Sequence, residues 1–316
     1  MRRDCAFGNK AGPAVRAPIF LILACGRGMI GSNTSQTITG QAPGVTQYLN
    51  PLRMLRTLWR YRDLIGQFTR REIEGRYRGS FLGIVWSFVN PLTMLLIYTF
   101  VFGVVFKAKW PNAKTGSLSE FAVTLFCGLT AFNIFSECVA RAPGLITGVP
   151  NYVKKVIFPL EILPISVLGA ALFHAGVSLS ILLVANILVS GGLPWTLVLL
   201  PVVLLPLLLL ALGLSWFLAS LGVFVRDIGY TVALMVQVLF FLTPIFYAIE
   251  NIPEPYRAVI ALNPMTTIVE DVRRVVLWGS LPGWGALLLL VVSCGVVMLL
   301  GYAWFMKTKK AFADVI

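Results

Sequence analysis

The stretch that decides the fold runs from Ile162 to Val225 and reads ILPISVLGAALFHAGVSLSILLVANILVSGGLPWTLVLLPVVLLPLLLLALGLSWFLASLGVFV. Its 64 residues hold no Lys, Arg, Asp or Glu. About 20 apolar residues already cross the hydrocarbon of a bilayer, so the run is too long for one span. It is interrupted by Ser190-Gly191-Gly192-Leu193-Pro194-Trp195, a turn-forming cluster with a Trp suited to the membrane interface. The stretch therefore reads as two membrane-spanning helices joined by a tight hairpin.

Working outward, the other charge-poor runs are Phe81–Phe106, Phe121–Ala142 (broken only by Glu137 and Arg141), Ile228–Ile249 and Leu281–Met306. With the double span they predict an all-α integral membrane protein of six transmembrane helices. Pro201, Pro206 and Pro244 fall inside expected spans, where proline is tolerated and kinks the helix. Composition agrees: 58% hydrophobic residues, 12% charged and a mean hydropathy of +0.84. Ordinary globular domains carry about 25% charged residues. At 316 residues there is no room for a large soluble domain beside six spans.

The net charge of +13 would suggest nucleic acid in a soluble protein. Here it reads as orientation charge, with no nucleic-acid partner expected. With the N-terminal side cytoplasmic, the inner segments hold fifteen Lys and Arg, including Arg53, Arg56, Arg60, Arg62, Arg141, Lys154, Lys155 and Arg226, against six outside. Both termini are placed in the cytoplasm, in the inner (plasma) membrane. The five cysteines are scattered without metal-ligand spacing, so no metal is expected.

Residues 1–47 stand apart. Arg2, Arg3, Lys10 and Arg16 precede the short apolar run Pro18–Cys25, which looks like a signal peptide. Cleavage there would place the arginines after Pro51 outside, against the charge rule, so a poorly ordered extension or an over-long start is expected instead. Residues 48–80 form a second region and 81–316 the transmembrane domain.

From Arg53 to Glu74 the helical period puts Met54, Leu58, Tyr61, Ile65 and Phe68 on one face. Arg53, Arg56, Arg60, Gln67 and Arg71 fall opposite. That pattern predicts a cytoplasmic amphipathic helix with a basic face in the inner membrane interface. In the second cytoplasmic loop, Pro150 and Pro159 bracket a short helix over 151–157 with the basic pair Lys154-Lys155, followed by Phe158. Such a piece suits the grip of another protein better than a plain turn.

The spans carry few ionisable groups. Glu137 and Arg141, spaced i,i+4, read as an ion pair at a helix end. His174, the only histidine, reads as a hydrogen-bonded structural residue. Arg226-Asp227 admits two readings, a solvated turn or an ion pair fixing a sharp reversal. Outside, Ile252-Pro253-Glu254-Pro255 and Leu262-Asn263-Pro264 divide 250–284 into two short helices, the second over about Met265–Trp278 with Glu270 and Arg274 at i,i+4. These suggest a re-entrant or gate hairpin before the last span.

Several stretches together resemble the ABC-2 family of transporter permeases, in its polysaccharide-exporting branch. They are Phe68–Gly83 (FTRREIEGRYRGSFLG) with Trp86 and Asn90-Pro91, Pro150–Pro164 (PNYVKKVIFPLEILP), Phe224–Asp227, Leu262–Thr266 and Lys307–Val315. The resemblance implies a half-transporter: two copies of this chain, and a separate ATPase subunit also doubled. The implied cargo is a lipid-linked polysaccharide such as O-antigen, capsule or teichoic acid. The chain has no G-x-x-x-x-G-K-[ST] phosphate loop. It is accordingly expected to be no enzyme and to bind no cofactor, with ATP and Mg held by the partner.

By the same resemblance, Asn151, Tyr152, Lys154, Lys155 and Phe158 would couple to the ATPase. Arg70, Arg71, Glu72, Arg76, Tyr77 and Arg78 would belong to the cytoplasmic gate and interface. Sugar rings stack on aromatic faces, so Trp86, Tyr98, Phe102, Phe240, Phe241, Phe246 and Tyr247 are candidates to line the conduit. An ABC-2 exporter of a lipid or drug is the alternative, and a secondary transporter or a membrane enzyme stands further off.

Overall fold

In a computed structural model the described residues are 50–107, 110, 116–154 and 158–316. Residues 1–47, like Lys155, lie outside them. The described residues are mostly helical and contain no strand. The helices are α1 (Pro51–Arg60), α2 (Arg62–Tyr77), α3 (Trp86–Tyr98), α4 (Leu118–Arg141), α5 (Pro150–Lys154), α6 (Leu163–Ser190), α7 (Leu200–Phe224) and α8 (Ile228–Leu242). They continue with α9 (Glu254–Ala261), α10 (Pro264–Arg273), α11 (Trp284–Thr308) and α12 (Phe312–Val315).

Among the described residues, five helical stretches are long and apolar enough to cross a membrane: Gly83–Val105, Leu118–Gly144, Leu160–Ser190, Trp195–Phe224 and Trp284–Val315. The expected double span is thus two helices, and Gly191 ends the first in the left-handed conformation (φ 77°) that favours glycine. The sixth run differs from expectation. α8 has 15 residues, a rise of about 22 Å against about 30 Å of hydrocarbon. It stops because Thr243 turns extended and Pro244 has no amide hydrogen to continue the ladder. Pro244 therefore follows a helix rather than kinking one. Pro201 lies in the first turn of α7, while Pro206 and Pro91 are inside α7 and α3.

The helix expected over Arg53–Glu74 is also divided. Asn50 opens α1 by accepting from the amides of Leu52 and Arg53, with Pro51 in the first turn. At Tyr61 the amide bonds back to Leu58 O, and α2 begins one residue later. Met54 is buried and the arginines of α1 are exposed, as the period implied.

α4 is the hub: most of it is buried, whereas the first span is almost wholly unburied. α6, α7, α8 and α10 all pack on it. α7 and α11 approach most closely. A Cβ on Gly301 would stand 2.1 Å from Gly213 O, and one on Gly213 would stand 2.6 Å from Met298 Cα. Small residues allow such backbone contact where water exclusion cannot drive association. A second core, with Met54, Ile146, Trp216, Phe305 and Phe312, joins α1, the segment after α4, α7, α11 and α12. There the buried Glu161 carboxylate accepts from Lys309 Nζ at 2.5 Å, and Trp216 Nε1 donates to Glu161 O at 3.0 Å.

Candidate functional site

α2 places a row of charges beside the ends of α4 and α6. All six residues Arg70, Arg71, Glu72, Arg76, Tyr77 and Arg78 line one cavity of about 1030 Å³, together with Arg141 from α4. Its lining holds five arginines against two glutamates, so the vestibule is basic. Arg70 Nε is paired with Glu74 at 2.6 Å, on the exposed side of α2. Burial pushes the Tyr77 phenol above its ordinary pKa.

Longer-range pairs fasten α2 to the spans. Arg76 Nη1 donates to Glu137 Oε1 at 2.6 Å, and Arg141 Nη2 donates to Glu72 Oε2. His174 Nδ1 lies 3.0 Å from Glu137 Oε2 and 3.0 Å from Arg76 Nη1. Tyr77 meets the His174 ring edge-on at 5.9 Å. The expected Glu137–Arg141 pair is present but longer, at 3.7 Å. Arg141 reaches instead toward Glu72, and Arg76 takes the near side of Glu137. His174 is hydrogen-bonded, as its place in a span implied. What the i,i+4 rule missed is that Glu137 serves three partners on two other helices and its own. The available signal was three ionisable residues in otherwise apolar helices.

The middle of α2 grips the short helix α5. Arg71 Nη1 donates to the Tyr152 hydroxyl at 3.0 Å. Phe68 meets Tyr152 at 5.8 Å and Phe158 at 5.1 Å, and Tyr152 stacks on Phe158 at 4.8 Å. Asn151 and Lys154 are exposed on α5. Tyr152 and Phe158 thus face α2 while the polar residues face outward.

A second cavity of about 460 Å³ runs inward between α3, α4 and α6. Of the seven candidate conduit aromatics, Trp86, Tyr98 and Phe240 line it. The others build the cluster behind: Phe102 stacks on Phe246 at 4.4 Å, and Phe240 meets Phe246 at 5.1 Å. Phe246 is 3% exposed and is a core residue of this chain. Phe241 is exposed, and the Tyr247 hydroxyl donates to Phe241 O.

At the opposite end, α9 and α10 form the two short helices expected, with Asn263 capping α10 through the Met265 amide. Asn263 Nδ2 also donates to Thr243 Oγ1 at 3.0 Å, tying α10 to the end of α8. Arg273 is wholly buried. It donates to Thr124 O, Pro244 O, Ile245 O and Glu270 Oε1, and it lies 4.4 Å over the Trp110 ring. Glu270 therefore pairs at i,i+3 with Arg273, and Arg274 pairs with Asp271, in place of the Glu270–Arg274 spacing noted in the sequence. Gly128 on α4 leaves room for the guanidinium, because a Cβ there would lie 2.7 Å from it.

The sequence profile of the ABC-2 type transporter family matches residues 63–277, from the second residue of α2 to beyond the end of α10. The chain belongs to the ABC-2 type transporter family. It is similar to an O-antigen export system permease protein, RfbA, of Myxococcus xanthus, with 32% identity over 84% of this chain and 100% of the relative. An RfbA of Klebsiella pneumoniae is 26% identical over 80% of this chain and 95% of the relative. The polysialic acid transport protein KpsM of Escherichia coli is 25% identical over 76% and 92%. As an ABC-2 family chain with five membrane-length helices, this is an integral membrane protein.

Proposed function

We propose that this chain is the permease subunit of an ABC exporter that moves a lipid-linked polysaccharide, O-antigen, capsule or a similar glycan, across the inner membrane. The observation that carries the reading is the match to an O-antigen export permease over that protein's whole length. Power comes from a separate ATPase subunit that binds ATP and Mg. The loop carrying Asn151, Tyr152, Lys154, Lys155 and Phe158 is the segment the ATPase grips, and the exposed Asn151 and Lys154 on α5 suit that role.

Two copies enclose the conduit. The apolar, unburied face of the first span is the natural seat for the second copy. α8 serves as a sixth, short crossing, completed by the residues after Thr243. α1 and α2 lie in the inner interface and bring the basic vestibule to the entrance. Its arginines suit an anionic lipid-linked glycan arriving from the cytoplasmic leaflet. α9 and α10 form the outer gate hairpin, and both termini face the cytoplasm.

Deletion of the gene with complementation tests the reading. Loss of the surface glycan and accumulation of its lipid-linked form inside, both restored by the wild-type chain, is the expected result. Unchanged surface glycan in the deletion strain would refute it.

A further inference from the structure

The basic vestibule and the inner cavity share a wall. Arg76, Tyr77 and Arg141 line both. Glu137 and His174 line only the inner one, so the wall is held from behind. Glu137 is the common anchor: Arg76 at 2.6 Å, His174 at 3.0 Å and Arg141 at 3.7 Å converge on its carboxylate. With Glu72 on Arg141, two arginines face two glutamates. The partition is thus neutral, which suits its half-buried position.

The node is not at rest in every contact. An arginine only donates and an ionised carboxylate only accepts, while one ring nitrogen takes a single role. His174 Nδ1 is equally near both, at 3.0 Å. With its proton toward Glu137, the approach of Arg76 to the ring is uncompensated. His174 Nε2 is buried without a partner. Were Arg76 to withdraw, Glu137 would still have His174 at 3.0 Å and Arg141 at 3.7 Å.

We propose that Glu137 is the positioning residue of a cytoplasmic latch, with His174 as its reserve partner. The latch closes the wall between vestibule and inner cavity, and it is worked through the contact of α5 with Phe68 and Arg71. α2 runs unbroken from Arg62 to Tyr77. Phe68 and Arg76 are eight residues apart, about 12 Å along one helix. A shift of α5 therefore reaches Arg76 as a rigid displacement. The inference rests on the permease reading and does not depend on the cargo.

The test uses Ser178→Cys, a buried position that lines only the inner cavity, in a chain whose five native cysteines are replaced by Ser. The permease–ATPase complex in nanodiscs is labelled with a membrane-impermeant thiol reagent, without glycan. Glu137→Gln and Arg76→Gln should each raise the labelling rate severalfold in the absence of nucleotide. The charge swap Arg76→Glu with Glu137→Arg should bring it back toward the parent. ATP should speed labelling of the parent, and Tyr152→Ala should abolish that response. Unchanged labelling in both single variants, or a swap as fast as the faster single, would overturn the latch. Because Arg76 is half exposed, its variant remains informative even if Glu137→Gln folds poorly. An absent glycan-export phenotype would count against the proposed cargo and leave these labelling rates unaffected.

Discussion

Arg71 and Tyr152 stand 81 residues apart in the chain, yet the Arg71 guanidinium donates to the Tyr152 hydroxyl at 3.0 Å. This one hydrogen bond, backed by Phe68 and Phe158, joins the basic vestibule to the short helix between the second and third spans. Tyr152→Phe removes the bond and keeps the ring stack. It should lower export per ATP hydrolysed, by less than Tyr152→Ala, with membrane insertion unchanged. Equal coupling ratios in wild type and both variants would show that the contact transmits nothing.

Lys154 lies on the exposed side of α5. Replacing Lys154 and Lys155 with Glu should uncouple ATP hydrolysis from export while leaving the chain inserted. Copurification of the ATPase subunit with the variant reports docking directly, and normal export would argue against α5 as the docking helix.

Trp86, Tyr98 and Phe240 face the inner cavity, whereas Phe246 is packed behind it. Alanine at any of the first three should slow export with little change in protein level. Phe246→Ala should instead cost stability, about 3–5 kcal/mol for a buried aromatic. Detergent melting together with export rates separates the two patterns. A reversal of them would remove the cavity from the transport path.

Arg273, at the end of α10, donates to three backbone carbonyls and Glu270. Arg273→Ala would take the guanidinium away from all four. Breaking one side of a buried pair costs about 3–5 kcal/mol. A marked fall in melting temperature is expected, and wild-type stability would contradict the role assigned here. Gly128→Leu should act in the same direction, since it invades the guanidinium's space.

Gly301→Val would force α7 and α11 apart, because even a Cβ sits 2.1 Å from Gly213 O. Overpacking of this kind costs about 1–3 kcal/mol or more. Reduced yield and melting temperature are the readouts, and a neutral effect would mean the two helices separate freely.

Five of the six expected spans were legible because long charge-free runs signal hydrocarbon contact, as between Ile162 and Val225, while the sixth run is cut short at Thr243-Pro244. α9 and α10 were legible because Leu262-Asn263-Pro264 carries its own cap and stop. Local signals failed where geometry is set by distant partners. The sequence does not show that Arg273 is buried; Thr124, Pro244 and Ile245 have to be brought around it. Glu137 shows its neighbour Arg141 through helical spacing, but Arg76 and His174 come from elements 61 and 37 residues away. Periodicity names a face and not what covers it. The break at Tyr61 lay within a period that remained regular across it.

Reconstitution tests most directly whether this chain is a passage powered from outside itself. Proteoliposomes with the permease alone, with the ATPase alone and with both are supplied with lipid-linked glycan and ATP, and glycan on the far side is counted. Only the combined preparation should hydrolyse ATP and translocate glycan together. Nucleotide-independent uphill transport by the permease alone would contradict the account.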